Sequence, residues 1–265
     1  MRTLLRIVLF ACAALMVAGQ TKSSYKPGDF QSSNPNYPKR NPFYFEGRID
    51  WDLLKSATPG DAWEFAQRGI HKQDDLEDIP GAIGDYQESL ARNNLSDGTC
   101  QIVTSAPVGF GQKVDPPPCM FTVRLRLGYL LREDQPLEAI RLFQEVLLID
   151  PLRLEVNRLI GETYQLMATQ APDDAARQTA LEQAVTAFQA ELDLSPVTPL
   201  SIQLTTDEAN NAHVHWALSQ VYEQLGRSDD VARELDLYLK ATKWHSDTYV
   251  WRIELAKRRL ASLQH

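Results

Sequence analysis

The chain has 265 residues, 43% hydrophobic and 23% charged, with 27 Lys+Arg against 35 Asp+Glu and a formal net charge of -8. That length allows one or two ordinary domains with a sizeable core, and the acidic balance works against binding nucleic acid phosphates or anionic lipid heads. The nearest basic run, Lys257-Arg258-Arg259, is short and lies inside a helical pattern.

Met1 to Arg6 carries Arg2 and Arg6, Ile7 to Ala18 is apolar, and Gly19 and Gln20 open a polar stretch. This order predicts a secretory signal peptide over residues 1–19, with an apolar run too short for a stable membrane span. Its removal leaves 25 basic against 35 acidic side chains, a net charge of about -10. Leu9-Phe10-Ala11-Cys12 offers a lipoprotein signal as the alternative, and membrane association is expected only if Cys12 is lipidated. Against it, apolar residues continue past Cys12 to Ala18. The expected location is therefore outside the cytoplasm, periplasmic or associated with the outer membrane.

Residues 20–45 hold Pro27, Pro35, Pro38 and Pro42 among Ser, Asn and Tyr, with no apolar period. They predict an extended arm. It serves either as a linker or as a docking arm using Tyr25, Phe30, Tyr37, Phe43, Tyr44 and Phe45. Residues 46–60 form a lead-in whose Trp51, Leu53 and Leu54 are expected to pack on the first helical pair. From Asp61 onward the pattern is helical. Asp61 with Glu64 resembles a capping box, and Asp78-Ile79-Pro80 opens a second helix carrying Ala82, Ile83, Tyr86 and Leu90 on one face. A second pair is expected over Phe121–Arg132 and Leu137–Ile149, a third over Leu152–Ala168 and Asp173–Leu194, and a fourth over Asp207–Leu225 and Asp229–Thr242. A single helix, Asp247–Leu263, closes the chain. No stretch has strand character beyond the short Ser201–Thr205.

Between the first and second pairs lie Cys100 and Cys119, flanking a segment rich in Pro and Gly. Two cysteines in an exported chain predict a disulfide closing a loop at about 96–119, with a contribution of about 3 kcal/mol in the chain-entropy account. The spacing suits neither a redox pair nor haem attachment, and a zinc site would need more ligands.

The pairs repeat one unit. The second runs Leu127-Gly128, Leu131, Ala139, Phe143, Val146 and Pro151; the third Ile160-Gly161, Tyr164, Ala184, Phe188 and Pro196. The fourth runs Leu218-Ser219, Tyr222, Gly226, Val231, Leu235 and Tyr238, and the first Phe65, Gly69, Ala82, Tyr86, Ser89 and Asn94. This pattern resembles the tetratricopeptide repeat (TPR) of exported bacterial-type proteins over about residues 61–243. The resemblance implies an all-α solenoid of about four TPR-like helix pairs plus a C-terminal capping helix, occupying 61–265. Gly128, Gly161, Ala139 and Ala184 would let paired helices approach, while Phe143 and Phe188 fill the space between repeats. An insertion at Thr169–Ala180 is expected to lengthen both helices of the third pair.

No enzyme constellation stands out. Gly109-Phe110-Gly111-Gln112-Lys113 lacks the ending of a phosphate loop. His213 and His215 lie two apart on a helix and point to different faces. Asp74, Asp75, Glu77 and Asp78 form an acidic turn without the spaced oxygens of a calcium loop. The resemblance implies a non-enzymatic protein-interaction scaffold of the cell envelope, without cofactor, metal or small-molecule substrate, whose first helices line a concave groove for a partner's peptide or helix. The groove faces would be Thr122, Leu125, Tyr129 and Arg132 in the second pair, Glu155, Arg158, Glu162 and Gln165 in the third, and His213, Trp216, Gln220 and Glu223 in the fourth. Tyr129 and Trp216 would be aromatic anchors, with core packing as the other reading of Trp216. The alternative role is a chaperone-like module for maturation of exported proteins such as c-type cytochromes.

Overall fold

The computed structural model describes residues 44–45, 48–49, 58–92, 120–194, 204–242 and 246–263. The signal peptide, Cys12, most of the arm, the lead-in around Trp51 and the Cys100–Cys119 loop lie outside the described residues. No helix among the described residues is long and apolar enough to cross a membrane. The chain divides into two compact units, residues 1–119 and 120–265.

In the first unit, β1 (Tyr44–Phe45) and β2 (Arg48–Ile49) form a short antiparallel ladder in register Tyr44↔Ile49 and Phe45↔Arg48. The sequence gives no strand character to these residues, so this ribbon is a correction. A two-residue strand leaves no room for the alternation that marks a strand in sequence. Helices α1 (Ala62–Asp74) and α2 (Ile79–Arg92) pack as a hairpin. Asp61 stops the chain from entering α1 early, with extended φ of -137° and its Oδ1 accepting from the Glu64 amide at 2.9 Å. Glu64 Oε2 reaches back to the Gly60 amide at 2.6 Å, one residue before the cap. Asp78 Oδ1 accepts from the Gly81 amide at 3.0 Å and starts α2. A Cβ on Gly69 would sit 2.8 Å from the Tyr86 ring, so only glycine admits this fully buried tyrosine. The Tyr86 hydroxyl donates to Gln73 Oε1 at 2.8 Å, and Ser89 Oγ donates to the Ala62 carbonyl at 2.7 Å.

The second unit is all-α. Its described helices are α3 (Met120–Leu131), α4 (Pro136–Ile149), α5 (Val156–Thr169), α6 (Asp174–Leu194), α7 (Leu204–Gln224), α8 (Ser228–Ala241) and α9 (Ser246–Leu263). Within this unit consecutive helices pack on one another, and α5 also meets α7. Hairpins α3/α4, α5/α6 and α7/α8 followed by α9 make a solenoid, in which no unit hides its apolar face without its neighbours. With α1/α2, the described residues hold the four expected pairs and the closing helix.

Close approach inside each hairpin has one recurring cause. A Cβ on Gly128 would lie 2.7 Å from the Phe143 ring, and one on Gly161 2.7 Å from the Phe188 ring. Both rings are fully buried. The aromatics therefore fill the space within their own pair, against the glycine, and not only the space between repeats. The fourth pair has Ser219 at the glycine position, buried, with its Oγ donating to the Trp216 carbonyl at 2.7 Å. Its tight turn is carried by Gly226 at φ +69°.

Helix α5 starts at Val156, four residues later than expected. Glu155 holds a left-handed conformation at φ 76°, and its amide donates to Glu191 Oε1 at 2.6 Å. A carboxylate on α6, itself fully buried, thus supplies the cap of α5. The third pair is lengthened in one helix only: α5 has 14 residues and α6 has 21. Asp173 begins α6 by accepting from the Ala176 amide at 2.7 Å.

Candidate functional site

In the second unit, the first helices of three successive hairpins meet at one carboxylate. Glu162 of α5 accepts from Arg132 Nη1 of α3 at 2.8 Å through Oε2 and from Arg158 Nη1 of its own helix at 2.5 Å through Oε1. His213 Nε2 of α7 lies 3.6 Å from Oε1. Residues 158 and 162 are one turn apart, so α5 offers both from one face. Across the cluster, the Arg132 guanidinium lies 4.1 Å above the Tyr129 ring, which is 51% exposed. The guanidinium is thus held on one side by a carboxylate and on the other by a ring, a cation–π arrangement. Arg132 Nε is buried and meets no acceptor among the described residues.

Electrostatics follow from this crowding. Burial raises the Glu162 pKa, but the His213 imidazole and the Arg158 and Arg132 guanidiniums outweigh it and hold the value down to about 2. The two guanidinium contacts are the shorter ones, and the imidazole stands at the margin of ion-pair distance. Glu162 therefore stays ionised throughout the physiological range. Two permanent cations share one anion, so the face carries a positive surplus within an acidic chain.

Five of the twelve expected groove residues come together here: Tyr129, Arg132, Arg158, Glu162 and His213. Gln165 and Gln220 are half-buried and take no part in these hydrogen bonds. Glu223 is exposed and faces α9, where Arg259 Nη1 lies 3.3 Å away. Trp216 is corrected from groove anchor to core. It is 6% exposed, its ring is 5.3 Å from Tyr238 and 6.5 Å from Trp251, and Arg252 and Arg259 lie over it at 6.0 and 5.8 Å. The turn of α7 that carries residue 216 is covered by α8 and α9, which leaves that ring nothing to offer a partner. Glu155, also expected in the groove, stands exposed at the start of α5 with its amide held by Glu191.

The two histidines point apart as expected. His213 reaches α5, whereas His215 Nδ1 lies 2.7 Å from Glu234 Oε2 on α8. In the acidic turn of the first unit, Asp75 pairs with His71 Nδ1 at 2.7 Å and Asp78 caps α2. Among the described residues no three His, Cys, Asp or Glu side chains group as metal ligands. Sequence reasoning missed Glu191, which also accepts from the Arg158 amide at 3.3 Å and so fixes the end of α5 that carries the cluster. Its one sequence signal is an acidic residue three positions after Phe188, where the helical period calls for an apolar one.

Among known proteins, no family model matches this chain, and no curated protein matches it. Among solved structures it is similar to the crystal structure of a thermophilic TPR protein of Thermus thermophilus. The identity is 15%, the TM-score is 0.38, and 77% of this chain and 98% of that one are covered. At that score the fold assignment rests on this chain's own helix pairing.

Proposed function

We propose that this protein is a non-enzymatic interaction scaffold that works in the cell envelope. In this reading it binds a peptide or helix of a partner protein on the first-helix face of its second unit. The observation that carries the reading is the side-chain chain Tyr129–Arg132–Glu162–His213. It spans α3, α5 and α7 and presents a half-exposed tyrosine whose cationic neighbour is already locked. Aromatic and arginine side chains held rigid before binding are the usual energetic centres of protein interfaces. The arrangement lacks a nucleophile beside a base, which chemistry would need. Location in the envelope rests on the signal-like residues 1–19.

The test is affinity capture from a native envelope fraction by the mature chain, compared with a Tyr129→Ala, Arg132→Ala variant of unchanged circular dichroism. A discrete partner, recovered by the parent and reduced at least about tenfold with the variant, supports the reading. Equal recovery by both moves the binding surface elsewhere and overturns it.

A further inference from the structure

Helix α9 carries a second, unrelated surface. Its inner side is in the core, with Ala256 fully buried and Ile253, Leu255 and Leu260 packed behind it. Its outer side is not purely polar, as the closing helix of a solenoid ordinarily is. Trp251 is 63% exposed and Val250 57%. Trp251, Glu254, Arg258 and Ala261 are all exposed and follow one another at intervals of three, four and three residues. That spacing is the a/d seam of a coiled coil, laid along about 15 Å of helix at 1.5 Å per residue; the Trp251 ring meets Trp216 of α7 edge-on at 6.5 Å and leaves most of its surface open.

We propose that this seam is a homodimer interface, occupied by the α9 of a second copy running antiparallel. In antiparallel pairs each a position faces a d position of the partner helix, and the seam is self-complementary only in that sense. Position 251 then faces position 261, so the large indole of one copy lies over the small Ala261 of the other. Position 254 faces position 258, so Glu254 of each copy meets Arg258 of the other. Both matches occur twice about the two-fold axis, which falls near Ala256, as an isologous interface requires. A parallel pair would set Glu254 against Glu254 and Arg258 against Arg258. Among the described residues Glu254 pairs with Lys257 on its own helix, at 3.0 Å and with both side chains more than half exposed, so exchanging partners costs it little. One helix face is a small interface, and dimerisation at micromolar concentration is the scale expected of it.

Sedimentation velocity of the full mature chain from about 1 to 100 μM, the range set by that scale, is the experiment. The expected result is a monomer–dimer equilibrium. Glu254→Arg and Arg258→Glu, each alone, should weaken it about tenfold or more, because each replaces two attractions by two repulsions. The double swap Glu254→Arg, Arg258→Glu should restore it, since the opposite charges again face each other. That restoration separates a real contact from a general disturbance of α9. Trp251→Ala should weaken association as strongly, with circular dichroism unchanged. A parent chain that stays monomeric at the top concentration, single reversals that leave the dimer intact, or a double swap that fails to restore it would each overturn the proposal. So would partition of the parent chain, but not of the Trp251→Ala variant, onto phosphatidylglycerol vesicles without self-association, because that would assign the exposed tryptophan to a lipid surface.

Discussion

Carboxylates shared by two cations occur in both units, and two of them, Asp85 and Glu162, are placed differently. In the first unit, Asp85 of α2 accepts from Arg68 Nε at 2.7 Å and Nη2 at 2.5 Å, and Lys72 Nζ lies 3.0 Å away. The whole group sits between two helices of one hairpin, and the Asp85 side chain is 5% exposed. In the second unit, Glu162 joins three hairpins, its side chain is 23% exposed, and its cations adjoin an open tyrosine ring. The same chemistry therefore has two uses. Sealed inside a hairpin it sets how α1 and α2 meet, and any loss is a loss of folding. Spread across successive first helices it sets the shape and charge of a surface, and in the proposed reading much of any loss would fall on binding.

The largest effect should come from breaking the sealed cluster. Asp85→Ala takes a buried shared carboxylate from two half-buried cations and should cost about 3 kcal/mol or more in urea unfolding followed by circular dichroism. A loss below about 1 kcal/mol would mean that Arg68 and Lys72 reach water when unpaired. Next come the glycine seams. Gly161→Ala drives a methyl into the Phe188 ring and should cost about 1–3 kcal/mol, with Gly128→Ala against Phe143 in the same range. Equal stability would show that the rings can step aside.

Acid sharpens the comparison further. The folded-state pKa of Glu162 is depressed to about 2 from an ordinary value of 4.5. Its contribution is therefore fully present above the ordinary value and is lost as pH falls from about 4.5 toward about 2. The shift corresponds to a contribution on the order of 3 kcal/mol. Glu162→Gln should remove that part of the acid dependence, so parent and variant stabilities should converge as pH approaches 2 and separate above pH 5. Parallel curves across that window would deny the linkage. The smallest effect on folding should be that of Tyr129→Ala. It removes an exposed ring and one cation–π contact and should change stability by no more than about 1 kcal/mol. In the proposed reading its main consequence would fall on partner binding.

The helix pairs are legible in the sequence because each rests on a local rule. Gly128 and Gly161 are where a ring must lie, Asp61 and Asp78 are caps, and Gly226 is a turn. What is not legible depends on residues far apart in the chain. The residues after Pro151 keep an apolar spacing that points to a start of α5 at Leu152, and only Glu191, 36 positions on from Glu155, delays it. Trp216 shares a helical stripe with His213, but one turn of α7 faces α5 and the next is covered by α9. Periodicity identifies a face without saying which neighbour covers it. The convergence of Arg132, Glu162 and His213 can be assembled from sequence only through the resemblance that aligns the three helices. The salt-bridged geometry, the burial of Arg132 Nε and the stacking on Tyr129 require the structure.

In the proposed reading the first-helix face around Tyr129 meets another protein. Photocrosslinking in the native cell tests it most directly, with a benzophenone amino acid replacing Tyr129 in one strain and the exposed Gln183 of α6 in another. A discrete adduct at position 129 and none at 183 is the predicted result. No adduct at 129, or the same adducts from both positions, would contradict it.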